Sequence, residues 1–207
     1  MATIAQTLLD IEQAQRDIQM QLNNGKVQLT KFIEDILNIT SVYHFDLLAH
    51  SGLDVAKTEL SHTANPLLIK YRSLSAKPEM HDEYIRWLNI GGLFVVCSIF
   101  EGFVRETHGQ IFQGAKTKQL KDAYKDILQS KNIDNPTVTR MVREFNLIRF
   151  IRNSFYQGGS HTHQKTKRFV VDGETYELVE GKPVKPMRLM TAINIFWQHY
   201  SRIMSSP

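Results

Sequence analysis

Two arginines and a tyrosine share helical spacing in the stretch FNLIRFIRNSFYQGGSHTH, which runs from residue 145 to 163. Arg149, Arg152 and Tyr156 are separated by three and four residues, so a helix places them on one face, opposite its apolar side. A guanidinium is always charged and offers a fixed fork of donors that matches phosphate oxygens. The spacing therefore predicts a phosphate-binding strip suited to RNA. Pairing of these arginines with Asp or Glu of neighbouring helices is the alternative interpretation.

Other chemistry has little support in the sequence. His161 and His163 lie close enough to share a metal ion, but no nearby acid or cysteine completes a site, and the solvated-loop interpretation is favoured. The chain lacks the phosphate-loop, dinucleotide, zinc-protease, paired-cysteine and serine-hydrolase motifs. We therefore expect neither a metal nor another cofactor.

The run Ile151-Arg152-Asn153-Ser154-Phe155-Tyr156 follows an apolar helix and precedes a glycine loop. This pattern resembles the motif of the HEPN superfamily, whose helical bundles carry an Arg-Asn pair near a helix end and a histidine a few residues later. The preceding apolar helix, with its acidic Glu101 in CSIFEGFVRE, adds to the likeness. The resemblance implies metal-independent RNA cleavage or, in inactive members, nucleic-acid or nucleotide binding, with the motif helices meeting in a homodimer. It also implies a defence or toxin–antitoxin role.

By this resemblance Arg152 would stabilise phosphate charge in the transition state and Asn153 would orient its neighbours. The position where the family's histidine is expected holds Gln157, whose amide has no useful basicity near neutral pH. Either His161 is carried back by the Gly158-Gly159 turn, or catalysis is lost, and loss is favoured. Glu101 would position Arg152, although an ordinary ion pair is the simpler interpretation.

Apolar periodicity predicts the elements that hold these residues. Helical patterns run over about 4–22, 27–49, 82–112, 120–128, 135–156 and 187–204, and Asp172-Gly173 predicts a hairpin within about 168–180. The central helix is apolar on nearly every side and is expected in the middle of the core, with close neighbours compensating its glycines. Residues 52–78 stay unassigned. The prediction is one all-α domain over 1–207, an up-and-down bundle of four main helices with one or two short ones and a small hairpin before the last.

Composition limits location and partners. The 207 residues are 42% hydrophobic and carry a net charge of +4, which mildly favours a polyanion. A lone Cys97, no secretory leader and an eleven-residue apolar run from 90 to 100 predict a cytoplasmic protein with no membrane span.

The leading hypothesis is an RNA-directed, HEPN-like homodimer of a defence or toxin–antitoxin system. If it is active, it is a metal-independent endoribonuclease using Arg152, Asn153 and His161, with Arg149, Tyr156, Gln157 and Glu101 at the substrate. The alternative is a non-catalytic module that binds a cognate antitoxin, another protein partner or a nucleotide.

Overall fold

The computed structural model describes residues 4–25, 30–59, 78–113, 118–161, 166–171 and 173–206. Within these ranges the chain forms six helices and one antiparallel two-stranded sheet, which confirms the predicted helical fold with a hairpin before the last helix. The elements are α1 (Ile4–Asn23), α2 (Lys31–Glu59), α3 (Pro78–Ile111), α4 (Leu120–Ser130), α5 (Asn135–Tyr156), β1 (Lys167–Val171), β2 (Glu174–Leu178) and α6 (Leu189–Ser205).

Several predicted boundaries were wrong, and α2 begins at Lys31 rather than near 27. The second helix does not end near 49, because α2 continues through Gly52 to Glu59. A glycine inside a helix costs only about 1 kcal/mol against alanine, so it does not force an end. The next helix begins at Pro78 rather than near 82, since proline is tolerated in a first turn. Of the unassigned segment 52–78, residues 60–77 lie outside the described part.

The ends of α5 follow from its sequence. The Asp134 carboxylate accepts a hydrogen bond from the Thr137 backbone N–H at 2.9 Å, and Pro136 occupies the first turn. At the other end Gly158 and Gly159 have φ of +79° and +83°, and the Gly159 N–H returns to the Ser154 carbonyl at 2.8 Å. These positive φ angles favour glycine, so the helix stops where the predicted strip ends.

Helix α3 lies at the centre of the bundle and packs against α2, α4, α5 and α6. Phe100 of this helix is fully buried, and its ring stacks on Phe196 of α6 with centroids 4.3 Å apart. The rings of Phe32, Tyr124 and Phe145 surround Phe100 edge-on, so five helices meet at one aromatic core.

Helix α3 lies in the middle of the core as predicted, although one side of it is exposed. Trp87 and Val95 are exposed on that side. The glycines of α3 differ in their surroundings. A Cβ on Gly92 would meet the Leu189 side chain, whereas one on Gly91 or Gly102 would meet no described atom within 4 Å. Close packing among the described residues therefore explains only Gly92 of these three glycines.

By length and composition, the stretch Arg86–Ile111 is apolar enough to cross a membrane. The core helix of a bundle passes the same test, and here Glu101 within the stretch pairs with two arginines of α5. This helix thus fits the role of a core helix with one uncovered side.

Candidate functional site: an arginine cluster between two helices

Arg149 and Arg152 of α5 both contact the carboxylate of Glu101 on α3. Arg149 Nε donates to Glu101 Oε1 at 3.0 Å, and Arg152 Nη2 lies 3.0 Å from the same oxygen. The side chains of Glu101 and Arg152 are only 19% and 12% exposed. The helix that carries Glu101 thus supplies the partner that the alternative interpretation of the arginines required.

Asn153 completes the group. Its Oδ1 accepts from Arg152 Nε at 3.2 Å and from Arg152 Nη2 at 3.1 Å. The Arg152 guanidinium therefore uses two of its three nitrogens on protein oxygens and is largely covered. We call Glu101, Arg149, Arg152 and Asn153 the arginine cluster.

The two helices present matching residues at the same spacing. On α5 they are Arg149, Arg152 and Tyr156, and on α3 they are Phe94, Cys97 and Glu101. The Tyr156 ring, 74% exposed, meets the Phe94 ring edge-on at 4.4 Å. Because the helices run antiparallel here, this ring contact lies at one end of the row and the Glu101 pairs lie at the other. Sequence reasoning missed Phe94 and Cys97, although their three-and-four spacing from Glu101 is visible in the sequence.

Cys97 is fully buried beside the cluster. Burial raises the pKa of its thiol to about 12, against the opposing effect of the nearby Arg152 charge. The thiol therefore stays protonated at neutral pH, as an unreactive core residue does.

Two positions bear on the general base: Gln157, where a histidine was expected, and His161, the candidate that could replace it. Gln157 is exposed and follows the last turn of α5 as its C-cap. His161 is 1% exposed, and its ring lies 6.3 Å from that of Phe150. Phe150 and Arg152 are two residues apart on a helix and leave it on opposite sides. His161 thus packs near a residue on the face of α5 opposite Arg152. His163 lies outside the described residues.

Charge is distributed unevenly along the chain. Residues 118–207 contain 15 Lys and Arg against 8 Asp and Glu, whereas residues 1–117 contain 10 against 13. The arginine cluster itself has two cations and one carboxylate, which leaves one positive charge. Further cations lie where the hairpin meets α5: Arg143 Nη2 donates to the Arg168 carbonyl at 2.7 Å, and Lys167 Nζ stands 3.7 Å from the Phe150 ring centre.

Cavities open elsewhere on the described surface. One of about 900 Å³ lies between α1 and α6, and one of about 300 Å³ lies between α5 and α6. Neither is lined by a residue of the arginine cluster. Within the described ranges, no three His, Cys, Asp or Glu residues are grouped closely enough to hold a metal ion.

A second charged pair joins α5 to α6. His199 Nε2 lies 2.8 Å from Glu144 Oε2, and the His199 ring stacks near Tyr124 with centroids 5.9 Å apart. Burial lowers the pKa of His199, outweighing the opposing effect of the Glu144 hydrogen bond. The sequence carried no signal for this pair, because its two residues are 55 positions apart and follow no motif.

No protein-family model matches the chain, and no similar protein was found among curated proteins or solved structures.

Proposed function

We propose that this protein is a non-catalytic, HEPN-like interaction module that binds a protein partner on the side of the bundle formed by α3 and α5. The observation that carries the proposal is the engagement of Arg152. Its donors meet Glu101 and Asn153, it is 12% exposed, and His161 packs near Phe150, which leaves α5 on the side opposite Arg152. Cleavage of RNA without a metal needs a base placed beside the scissile phosphate.

The surface around the cluster suits a protein partner. Tyr156 and Trp87 are large, exposed and amphipathic, and such residues are enriched at binding hot spots. Arg149 is 27% exposed and adds a donor at the Glu101 end of the row. A partner antitoxin with an apolar patch and a carboxylate fits this combination, in the defence or toxin–antitoxin setting that the HEPN resemblance implies.

A cleavage assay tests the loss of catalysis. Wild-type protein and the variant Arg152→Ala, incubated with structured RNA in EDTA, should both leave the RNA intact. The variant Gln157→His returns an imidazole to the position that the HEPN motif expects, and new cleavage by it, absent in Gln157→Asn, would support the resemblance. Metal-independent cleavage by the wild type that Arg152→Ala abolishes would contradict the proposal.

RNA binding without cleavage is the second candidate, and the uneven charge favours it. The excess of cations in residues 118–207 includes Arg143 and Lys167 where the hairpin meets α5. If these side chains contact phosphates, the affinity for RNA should fall steeply between 50 and 200 mM salt, with a smaller slope in the double variant Arg143→Ala/Lys167→Ala. An Arg105→Ala variant, which removes an exposed cation of α3, is the matched control. An unchanged slope in the double variant would remove this candidate.

A further inference from the structure

A groove runs between α1 and α6. Its volume is about 900 Å³, and its α1 wall extends from Asp10 to Asn24, a span of about 21 Å. Two helices that pack directly bury an apolar stripe between them, whereas most side chains that line this groove end in amide, hydroxyl or charged groups. The groove is therefore elongated, polar and suited to a linear ligand.

The residues of the two walls match level by level, because α1 and α6 run parallel. Helices α1 and α3 both run antiparallel to α2, and α6 runs parallel to α3. Across the groove, Ser201 Oγ of α6 donates to Gln21 Oε1 of α1 at 3.3 Å. One turn earlier on both helices, Asp17 and Trp197 stand at the same level, and both line the groove. A carboxylate and an indole ring thus lie on opposite walls at one point along its length.

One half of the groove is acidic. Asp10 and Asp17 are seven residues apart on α1, which corresponds to about 10 Å along the helix axis. Arg202 follows the residue of α6 that contacts Gln21, so it belongs to the other half, and Arg16 of α1 does not line the groove. Among the described residues, no lysine or arginine therefore lines the first half. We call Asp10, Gln13, Ala14, Asp17, Asn194 and Trp197 the acidic half of the groove.

Apolar surface accompanies the two carboxylates. Ala14 lies on α1 between Asp10 and Asp17, and Trp197 stands opposite Asp17 with 8% of its surface exposed. The Trp197 ring stacks on that of Tyr200 with centroids 5.7 Å apart, which fixes its orientation. An ammonium is attracted to an indole ring, and a methylene chain gains free energy by covering apolar surface. The acidic half therefore combines a carboxylate at each end with apolar groups along its length.

We propose that the acidic half binds a linear polyamine, with one terminal ammonium at Asp10, the other at Asp17, and the methylene chain along Ala14 and Trp197. In extended spermidine the terminal nitrogens are separated by a distance close to the axial distance between these two aspartates. Opposite charges attract more strongly in a partly enclosed groove than in open water, because fewer water molecules screen them. The site shares no residue with the arginine cluster and does not depend on the proposed function.

Other ligand classes fit the acidic half less well. The phosphates of RNA or of a nucleotide would meet two carboxylates of like charge. A neutral sugar would gain no attraction from these two charges. A lysine-rich peptide supplies ammonium groups, but its backbone N–H and C=O groups would lie against Ala14 and Trp197. A polyamine has no peptide groups, and its central nitrogen keeps its water because the groove is open to solvent.

Isothermal titration calorimetry of the full chain with spermidine tests the proposal. The wild type should bind spermidine saturably at a single site. Asp10→Asn and Asp17→Asn should each raise the dissociation constant at least about tenfold, because each variant removes one ion pair. Putrescine is too short to reach both carboxylates and should bind at least about tenfold more weakly than spermidine. In a Trp87→Phe background, the emission of Trp197 should change with the same midpoint, which places the ligand beside the indole.

Glu12→Gln removes the same charge from the same helix outside the groove, and it is the matched control. It should change the dissociation constant by less than about twofold. Circular dichroism should show wild-type helix content in each variant, which separates loss of binding from unfolding. The absence of saturable binding to the wild type, or a loss in Glu12→Gln equal to that in Asp17→Asn, would overturn the proposal. Tighter binding of tetralysine than of spermidine would also overturn it, and would assign the groove to a lysine-rich segment of a partner protein.

Discussion

Two carboxylates join α5 to its neighbouring helices, and the two pairs differ in kind. Glu101 belongs to α3 and pairs with arginines of α5, whereas Glu144 belongs to α5 and pairs with a histidine of α6. Glu101 meets the two guanidiniums of Arg149 and Arg152 at a partly covered edge of the bundle. Glu144 meets the imidazole of His199 in the interior, where His199 is 2% exposed. Arginine keeps its charge at any pH a folded protein tolerates, whereas a buried histidine changes protonation only at a cost. The first pair therefore depends on charge, and the second depends on a neutral hydrogen bond.

The two pairs also differ in whether they can take part in binding. The Glu101 site keeps an excess positive charge and an exposed tyrosine beside it, so it can take part in binding. The Glu144 site has no excess charge once its histidine is neutral, because Arg140 Nη1 lies 3.5 Å from Glu144 Oε1 and offsets the carboxylate. Buried polar pairs of this kind orient helices, and only the first site deserves a functional test.

Removing the Glu101 carboxylate should give the largest effect on stability. The change Glu101→Gln leaves the covered Arg152 guanidinium without its counter-charge, and we expect the free energy of unfolding in urea to fall by about 2–3 kcal/mol. Glu106→Gln, on an exposed turn of the same helix, should change it by less than about 0.5 kcal/mol. Equal small losses in both variants would mean that the cluster is a surface ion pair.

Lowering the pH should weaken the Glu144–His199 pair and leave the Glu101 pairs unchanged. Burial holds the pKa of His199 below 6.5, so the unfolded chain binds a proton that the folded chain does not, and stability is lost as pH falls below about 6.5. Glu144, Arg140 and Tyr124 are the charged or titratable groups that face His199.

Urea unfolding at pH 7.5 and 5.5 measures this loss, which should be smaller in His199→Gln than in the wild type. Glu101→Gln should keep the wild-type difference between the two pH values, because arginines do not titrate there. A wild-type difference retained in His199→Gln would assign the pH dependence to other groups.

The smallest effect is expected at Tyr124, next to His199. Its hydroxyl is buried and has no hydrogen-bond partner among the described residues. Tyr124→Phe should therefore leave the free energy of unfolding unchanged or raise it by up to about 1 kcal/mol. Tyr176→Phe removes a hydroxyl that donates to Glu174 Oε2 at 3.0 Å. It should lower the free energy of unfolding in urea by about 1 kcal/mol. A loss at Tyr124 as large as that at Tyr176 would reveal a bound water on its hydroxyl.

Much of the fold was predictable because its signals are local. Asp134 and Pro136 begin α5, and Gly158-Gly159 end it, through backbone preferences that neighbouring residues do not override. The hairpin was predictable from its turn residues, and the strands pair as expected with Val171 opposite Glu174. The extension of α2 through Gly52 was not predictable, because a weak propensity against helix yields to the rest of the element.

The sequence by itself determined which residues could do chemistry: their types, their spacing on one helix face, and the glutamine at position 157. Only the tertiary structure decided what they contact. Helical spacing defines a face but not the element packed against it, so Glu101 could be named as a partner of Arg152 but not joined to Arg149 as well. The burial of His161, the His199–Glu144 pair and the uncovered side of α3 depend on contacts between distant segments. Such contacts arise only when the whole core is packed.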